Sequence, residues 1–313
     1  MSTLTARRPL APLPLPNAAE ARRAVMSRPA AEQAEYVLNV PIHTPEFIFA
    51  MNSLDHLISR VGETSQPGGL CIHGEGGTGK SFIVDFLQRR YLSRQLLRGV
   101  QLPIVKITLD GNPTSTSIRQ DILEAIGYVG QIRKAKAAEL DRVIKEAFGE
   151  LDVRLLVVDE AGHLVPSSRR RNEDRLGGAA WDTLKRLHEE LKIGFVFVGT
   201  PVVGEMVRSD SQFNSRWGEA PMRHYQNDQS WNGLLGALDQ ALPFEQSAGL
   251  NSRESSNAFF AATGGNLRLL KRLVAEAVLL GARRSDQKLE IDYVAKAFDL
   301  LGYRGTNPFR GLS

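Results

Sequence analysis

The spacing of apolar positions changes several times along the chain, and each change marks an element. Phe47, Ile48, Met51, Leu54, Leu57 and Ile58 recur at helical spacing, which lets one face of a helix bury. Thr44 and Pro45 stand just before them as a cap and a first-turn proline. Short apolar runs follow at Leu70–Ile72, Pro103–Leu109, Leu155–Val158 and Ile193–Val198. Runs of this kind predict strands covered on both faces, as in a parallel sheet. Helical patterns separate them: Phe82–Leu87, Thr114 to about Ile126, Ala138–Phe148 and Ala179–Leu191. A last strand is expected around Pro221–Tyr225, and from Trp231 onward the pattern is helical only. Those helices are expected at Trp231–Leu242, Ser252–Ala262, Asn266–Leu280 and Ile291–Leu301. Strand–helix alternation followed by helices predicts an α/β fold with a parallel five-stranded sheet and a C-terminal helical lid.

This divides the chain into a core over 41–228, a lid over 229–301 and a tail over 302–313 expected to be flexible. Residues 1–40 are expected to form a flexible arm, because Pro9, Pro12, Pro14 and Pro16 oppose regular structure. With 313 residues and 42% hydrophobic content there is enough apolar surface for substantial cores. No run of apolar residues is long enough to span a membrane, and the N-terminus lacks a signal-like apolar core. A single cysteine, Cys71, fits a reducing cytosol, so a cytoplasmic protein is expected. The net charge of +4 permits nucleic-acid binding without demanding it.

The chemistry centres on Gly74 to Ser81, reading GEGGTGKS between a strand and a helix. The spacing G-x-x-x-x-G-K-[ST] is that of a phosphate-binding loop. Gly74, Glu75, Gly76, Gly77, Thr78, Gly79, Lys80, Ser81 and Phe82 are the expected nucleotide-binding set. Backbone N–H groups turn around the phosphates, Lys80 reaches the β- and γ-phosphates, and Ser81 holds Mg²⁺. The second motif is Leu155-Leu156-Val157-Val158 ending in Asp159-Glu160. Asp159 would orient the Mg²⁺ and Glu160 would act as general base on the attacking water. Thr200, at the end of the Ile193–Val198 strand, reads either as a γ-phosphate sensor or as a helix cap. Arg216 reads either as a surface charge or as a finger reaching a neighbouring subunit. Arg268, in the first turn of a lid helix, is a candidate second sensor. Thr116, Ser117 and Arg119 suit either phosphate contacts or helix capping. Arg133, Lys134 and Lys136 form a charge run, by default a solvated face.

The order of these motifs resembles the AAA+ ATPases over roughly residues 41–300. The segments HGEGGTGKS, LLVVDEAGHL, FVFVGTP and SDSQFNSRW are more narrowly similar to the TniB/TnsC family of transposition regulators, ATPases of Tn7-like and Tn5053-like elements. The resemblance implies an ATP- and Mg²⁺-dependent ATPase that assembles as a ring or filament on double-stranded DNA. It would link a TniQ-like target-selection protein to a TnsB/TniA-like transposase. It makes Lys80, Thr200, Glu160 and Arg216 catalytic, with Arg216 acting in trans and Arg268 as sensor 2. It assigns DNA contacts to Thr116–Arg119 and Arg133–Lys136. The finger segment reads Asn214-Ser215-Arg216-Trp217 where Asn-Arg-Phe is the family pattern, so the finger's register is open. Two other readings share the motifs: a helicase-loader or initiator-like ATPase, and a nucleotide-switched scaffold.

Overall fold

The computed structural model describes residues 10–13, 18–64, 68–96, 99–130, 135–165, 178–284 and 286–312. In chain order the elements are α1 (Ala18–Met26), α2 (Ala30–Asn39), α3 (Pro45–Arg60), β1 (Gly69–Gly74), α4 (Lys80–Arg90), β2 (Arg94–Leu96), β3 (Gly99–Gln101) and β4 (Ile104–Thr108). Then come α5 (Ser115–Ala125), α6 (Ala137–Glu150), β5 (Leu155–Asp159), a 3₁₀ turn (Ala161–Leu164), α7 (Gly178–Leu191), β6 (Gly194–Gly199), α8 (Pro201–Ser209), α9 (Ser211–Asn214) and β7 (Trp217–Met222). The last four are α10 (Gln229–Ala241), α11 (Arg253–Thr263), α12 (Leu267–Ala282) and α13 (Ile291–Leu300). They divide into two compact units: Met1–Leu13, Ile48–Gly76 and Lys80–Met222; and Pro14–Phe47, Gly77–Gly79 and Arg223–Ser313.

The first unit is a sheet of order β4-β5-β6-β1-β7, parallel at every pairing. β1, β5 and β6 are buried along their whole length, which explains their uninterrupted apolar runs. On one face Val105, Ile107, Leu156, Val158, Phe195 and Phe197 pack against Ile118, Ile144, Trp181 and Leu184 from α5, α6 and α7. Thr44 caps α3 as expected, its hydroxyl accepting from the Phe47 N–H at 3.3 Å. The last strand begins at Trp217, earlier than Pro221. Its sequence, WGEAPM, hides it, because Gly218 and Pro221 oppose strand structure. Pro221 is tolerated because β7 is an edge strand with one neighbour. The hairpin β2–β3 was not legible from its three-residue strands.

The second unit is helical. Val37, Trp231, Leu235, Phe259, Leu270, Val274, Val294 and Phe298 form its core. Two expectations are corrected here. Within the stretch expected to be a flexible arm, α1 and α2 are helical. The dense prolines end at Pro16, and Pro29 stands at the N-cap of α2, where a missing N–H costs nothing. The far end of α2 is tied down by Lys271, whose Nζ donates to the carbonyls of Leu38 at 3.1 Å and Val40 at 2.6 Å. Such carbonyls otherwise lack partners at a helix C-terminus. The tail is likewise ordered. Phe309 is 1% exposed and meets the Phe259 and Phe298 rings edge-on. Asn307 donates to the Ala295 carbonyl at 2.8 Å. The Asn-Pro-Phe segment is therefore core material. No helix among the described residues is long and apolar enough to cross a membrane.

Candidate functional site

β1 delivers the chain to the glycine loop. At Gly74 a Cβ would lie 1.9 Å from the Met222 carbonyl oxygen, so the neighbouring strand excludes any side chain there. Gly77 and Gly79 adopt φ of 82° and 96°, a region that glycine enters without steric cost. The loop feeds α4, whose first residue is Lys80, so the positive end of that helix faces the loop. Lys80 Nζ donates to the carbonyls of Gly74 at 2.8 Å and Glu75 at 2.7 Å. Ser81 is half-buried in the first turn of α4. Phe82 stacks on Phe86 at 6.1 Å, with the Arg89 guanidinium 5.6 Å from each ring. Its ring is thus held on its own helix.

Asp159 closes β5, two strands from β1, a lateral separation of about 10 Å. It is 6% exposed. Its Oδ1 accepts from the Glu160 N–H at 2.9 Å, and its Oδ2 lies 3.3 Å from the Lys106 ammonium. Lys106 also donates to Asp85 Oδ1 at 2.9 Å. Burial alone would lower the Lys106 pKa, but the hydrogen bond to Asp85 and the charges of Asp159 and Asp85 outweigh it and raise it. A nearly buried carboxylate that already holds a cation is a fitting donor for Mg²⁺. No group of three or more His, Cys, Asp or Glu side chains able to hold a metal occurs among the described residues. An ion here would therefore depend on Asp159, Ser81, water and phosphate oxygens, the usual mode for Mg²⁺.

Glu160 is exposed and left-handed, at φ 53° and ψ 34°. A non-glycine residue there stores roughly 1–2 kcal/mol, and its side chain is exposed at the strand end. Thr200 follows β6, the strand between β1 and β5. A Cβ at Gly162 would lie 3.3 Å from its hydroxyl oxygen, so Thr200 borders the turn just after Glu160. Thr200 is also the N-cap residue of α8 but makes no side-chain cap hydrogen bond, which leaves its hydroxyl for other work. Cys71, inside β1, is no nucleophile: burial, then the Glu219 charge, push its thiol up to about 12.

Arg216 lies at the other end of the sheet. It precedes β7, whose first residue pairs with Gly69, the first residue of β1. The loop is a full strand length away, roughly 17–20 Å for six residues, beyond the reach of an arginine side chain. The Phe213 and Trp217 rings, 4.5 Å apart, anchor the turn that carries Arg216. The exposed side chain opens on a groove of about 420 Å³ lined also by Phe49, His56, Leu57, Arg60 and Leu70.

The expected DNA contacts divide. Thr116 is exposed and lines a cleft of about 530 Å³ with Asn112, Thr114 and His163. Ser117 forms a reciprocal capping box with Thr114. Arg119 is a correction: it is 1% exposed and cannot face DNA. Its Nε and Nη2 donate to the two Asp141 oxygens at 2.6 and 3.2 Å, and its Nη1 donates to Ser115 Oγ at 2.7 Å. It ties α5 to α6, and Arg186 of α7 joins the same carboxylate at 2.6 Å. Lys136 is exposed at the start of α6. Arg133 and Lys134 lie outside the described residues, as does most of the expected loop at 166–178. In the helical unit Arg268 is exposed, and its backbone N–H donates to the Gly77 carbonyl at 3.0 Å. Sequence reasoning missed Lys106 and Asp85. The available signal was a lysine inside the otherwise apolar run Ile104-Val105-Lys106-Ile107.

Such a sheet, with a phosphate loop after one strand and Asp-Glu ending another, is the fold of an AAA+ P-loop ATPase. Solved structures agree on that fold. The ORC2 protein of Aeropyrum pernix, solved as ADPNP–ADP complexes, is 18% identical with a TM-score of 0.59, over 89% of this chain and 74% of that one. The Aeropyrum pernix ORC1 protein, solved in complex with DNA, is 17% identical with a TM-score of 0.56, over 88% and 69%. Cdc6p from Pyrobaculum aerophilum is 19% identical with a TM-score of 0.56, over 84% and 70%. No curated protein sequence matches. The profile of the bacterial TniB protein family matches residues 39–227, and the chain belongs to that family.

Proposed function

We propose that this protein is an ATP-dependent, DNA-binding regulator of transposition whose hydrolytic site is completed by a second copy of the chain. The observation that carries this reading is the placement of Arg216 at the opposite end of the sheet from Lys80, Asp159 and Glu160. A chain with the hydrolytic pair at one end and an exposed arginine at the other can serve a neighbour but not itself.

Gly74–Phe82 cradle the phosphates through backbone N–H groups, and Lys80 exchanges the Gly74 and Glu75 carbonyls for phosphate oxygens. Bound ATP and Mg²⁺ supply the phosphoanhydride and the charge neutralisation that its cleavage needs. Ser81 and Asp159 would hold the ion. Glu160 takes the proton of the attacking water, and Thr200 orients that water or the γ-phosphate. Arg216 of a neighbouring copy stabilises the charge that develops, and Arg268 senses the nucleotide from the lid, residues 229–301. Thr116, Ser117, Arg133, Lys134 and Lys136 contact phosphates of duplex DNA without reading sequence. Membership in the TniB family supports linking a target-selection protein to a transposase.

The test is Glu160→Gln mixed with ATP and duplex DNA and followed by sedimentation. Binding without hydrolysis should leave large, long-lived assemblies on the DNA. A variant that stays monomeric under those conditions overturns the reading.

A further inference from the structure

Lys106 lies on β4 and shares a sheet face with Asp159. The pairing of Lys106 with Val157 and of Thr108 with Asp159 fixes this register, since alternate residues share a face. Its ammonium bridges two carboxylates: Asp159 Oδ2 at 3.3 Å and Asp85 Oδ1 at 2.9 Å. The lysine side chain is 21% exposed, Asp159 9% and Asp85 56%. Asp85 stands on α4 one helical turn after Ser81, and residues four apart lie on one helix face. Thus α4 presents on one face both the hydroxyl read as an ion ligand and the carboxylate that holds the lysine.

We infer that Lys106 is a positioning residue that occupies the cation side of Asp159 and yields it to the divalent ion by moving fully onto Asp85. The proposal rests on the reading of Asp159 as the ion's carboxylate. The nearly buried Asp159 needs a counter-charge before any ion arrives, and Lys106 supplies it. Its positive charge opposes an incoming divalent ion. The solvent-facing Asp85 gives the ammonium a second berth, which lowers the cost of leaving Asp159. Ion entry then carries a built-in exchange between strand β5 and helix α4.

The two partners must act in opposite directions. In Lys106→Met the competing charge is gone, so Mn²⁺ should bind the protein–ADP complex more tightly, by about tenfold. In Asp85→Asn the second berth is weakened and Lys106 clings to Asp159, so Mn²⁺ should bind several-fold more weakly. Lys106→Arg, which keeps the charge, should stay close to the parent. Free Mn²⁺ is read by electron paramagnetic resonance in the presence of saturating ADP, with circular dichroism verifying that each variant is folded. A merely structural lysine would make both variants bind more weakly, and that result overturns the proposal, as does an unchanged affinity in both. Asp159→Asn separates the two readings. If it leaves Mn²⁺ affinity intact, the assignment of Asp159 itself fails. If it weakens Mn²⁺ while the Lys106 and Asp85 variants move together, the exchange alone fails.

Discussion

Arg119 and Lys136 show how differently one residue class is used. Arg119 is enclosed between helices with Asp141 as its double partner, whereas Lys136 is exposed. Arg119→Ala should cost about 2–3 kcal/mol, the loss of hydrogen bonds to a charged group, read by chemical denaturation. The Arg186–Asp141 contact remains and limits the damage. Lys136→Ala should change stability by no more than about 0.5 kcal/mol, and Lys134→Ala is combined with it for the binding measurement. The pair should nevertheless reduce the salt dependence of duplex binding. An unchanged salt slope would remove these lysines from the DNA surface. The sequence could not separate the two kinds of residue. Arg119 sits among hydroxyls at a helix start, and its partner is on another helix, outside any local spacing rule. Lys80, Asp159 and Glu160 could be proposed from the sequence because each stands in a short motif of fixed local spacing.

At the scale of elements, segments with an apolar run or repeat of their own were legible, and those without one were not. α12 and α13 carry enough apolar repeats to define themselves, but β7 takes its structure from pairing with β1. α9 is another short element held from outside. Asp210 caps it through the Gln212 and Phe213 N–H groups and binds the Lys185 ammonium at 2.8 Å and the Trp181 indole N–H at 3.1 Å. Burial would raise its pKa, but the hydrogen bonds from Lys185 and Trp181 outweigh it and hold the carboxyl below its ordinary value. The ionised form is thus favoured by folding. Its contribution is complete above the unfolded pKa, about 3.9, and disappears as pH falls through the lower folded value. Asp210→Asn keeps a capping oxygen and loses the charge. It should be less stable than the parent by about 1 kcal/mol near neutral pH, with the gap closing below about pH 4. Urea titrations at several pH values measure this. A gap independent of pH would mean that the charge contributes nothing to α9 or to the turn bearing Arg216.

At the scale of the molecule, strand order decides what no local pattern could. The alternation of strands and helices announced a parallel sheet. Only the order β4-β5-β6-β1-β7 sets Thr200 between the loop strand and the Asp159 strand, and only the β1–β7 register sets Arg216 at the far end. The helix α2 and the buried Phe309 escaped for a related reason, since Val37 and Phe309 sit in a core assembled from distant segments. The central claim is that one copy's hydrolytic site needs another copy's Arg216. Mixing two inactive variants, Glu160→Gln and Arg216→Ala, tests it directly by ATP turnover on duplex DNA. The Glu160→Gln chain still offers Arg216, and the Arg216→Ala chain still offers Glu160, so junctions of one orientation hold a complete site. The account predicts that each variant alone is inactive and that the mixture regains a substantial fraction of parental turnover. A mixture as inactive as its components, although the two variants co-assemble, would contradict it.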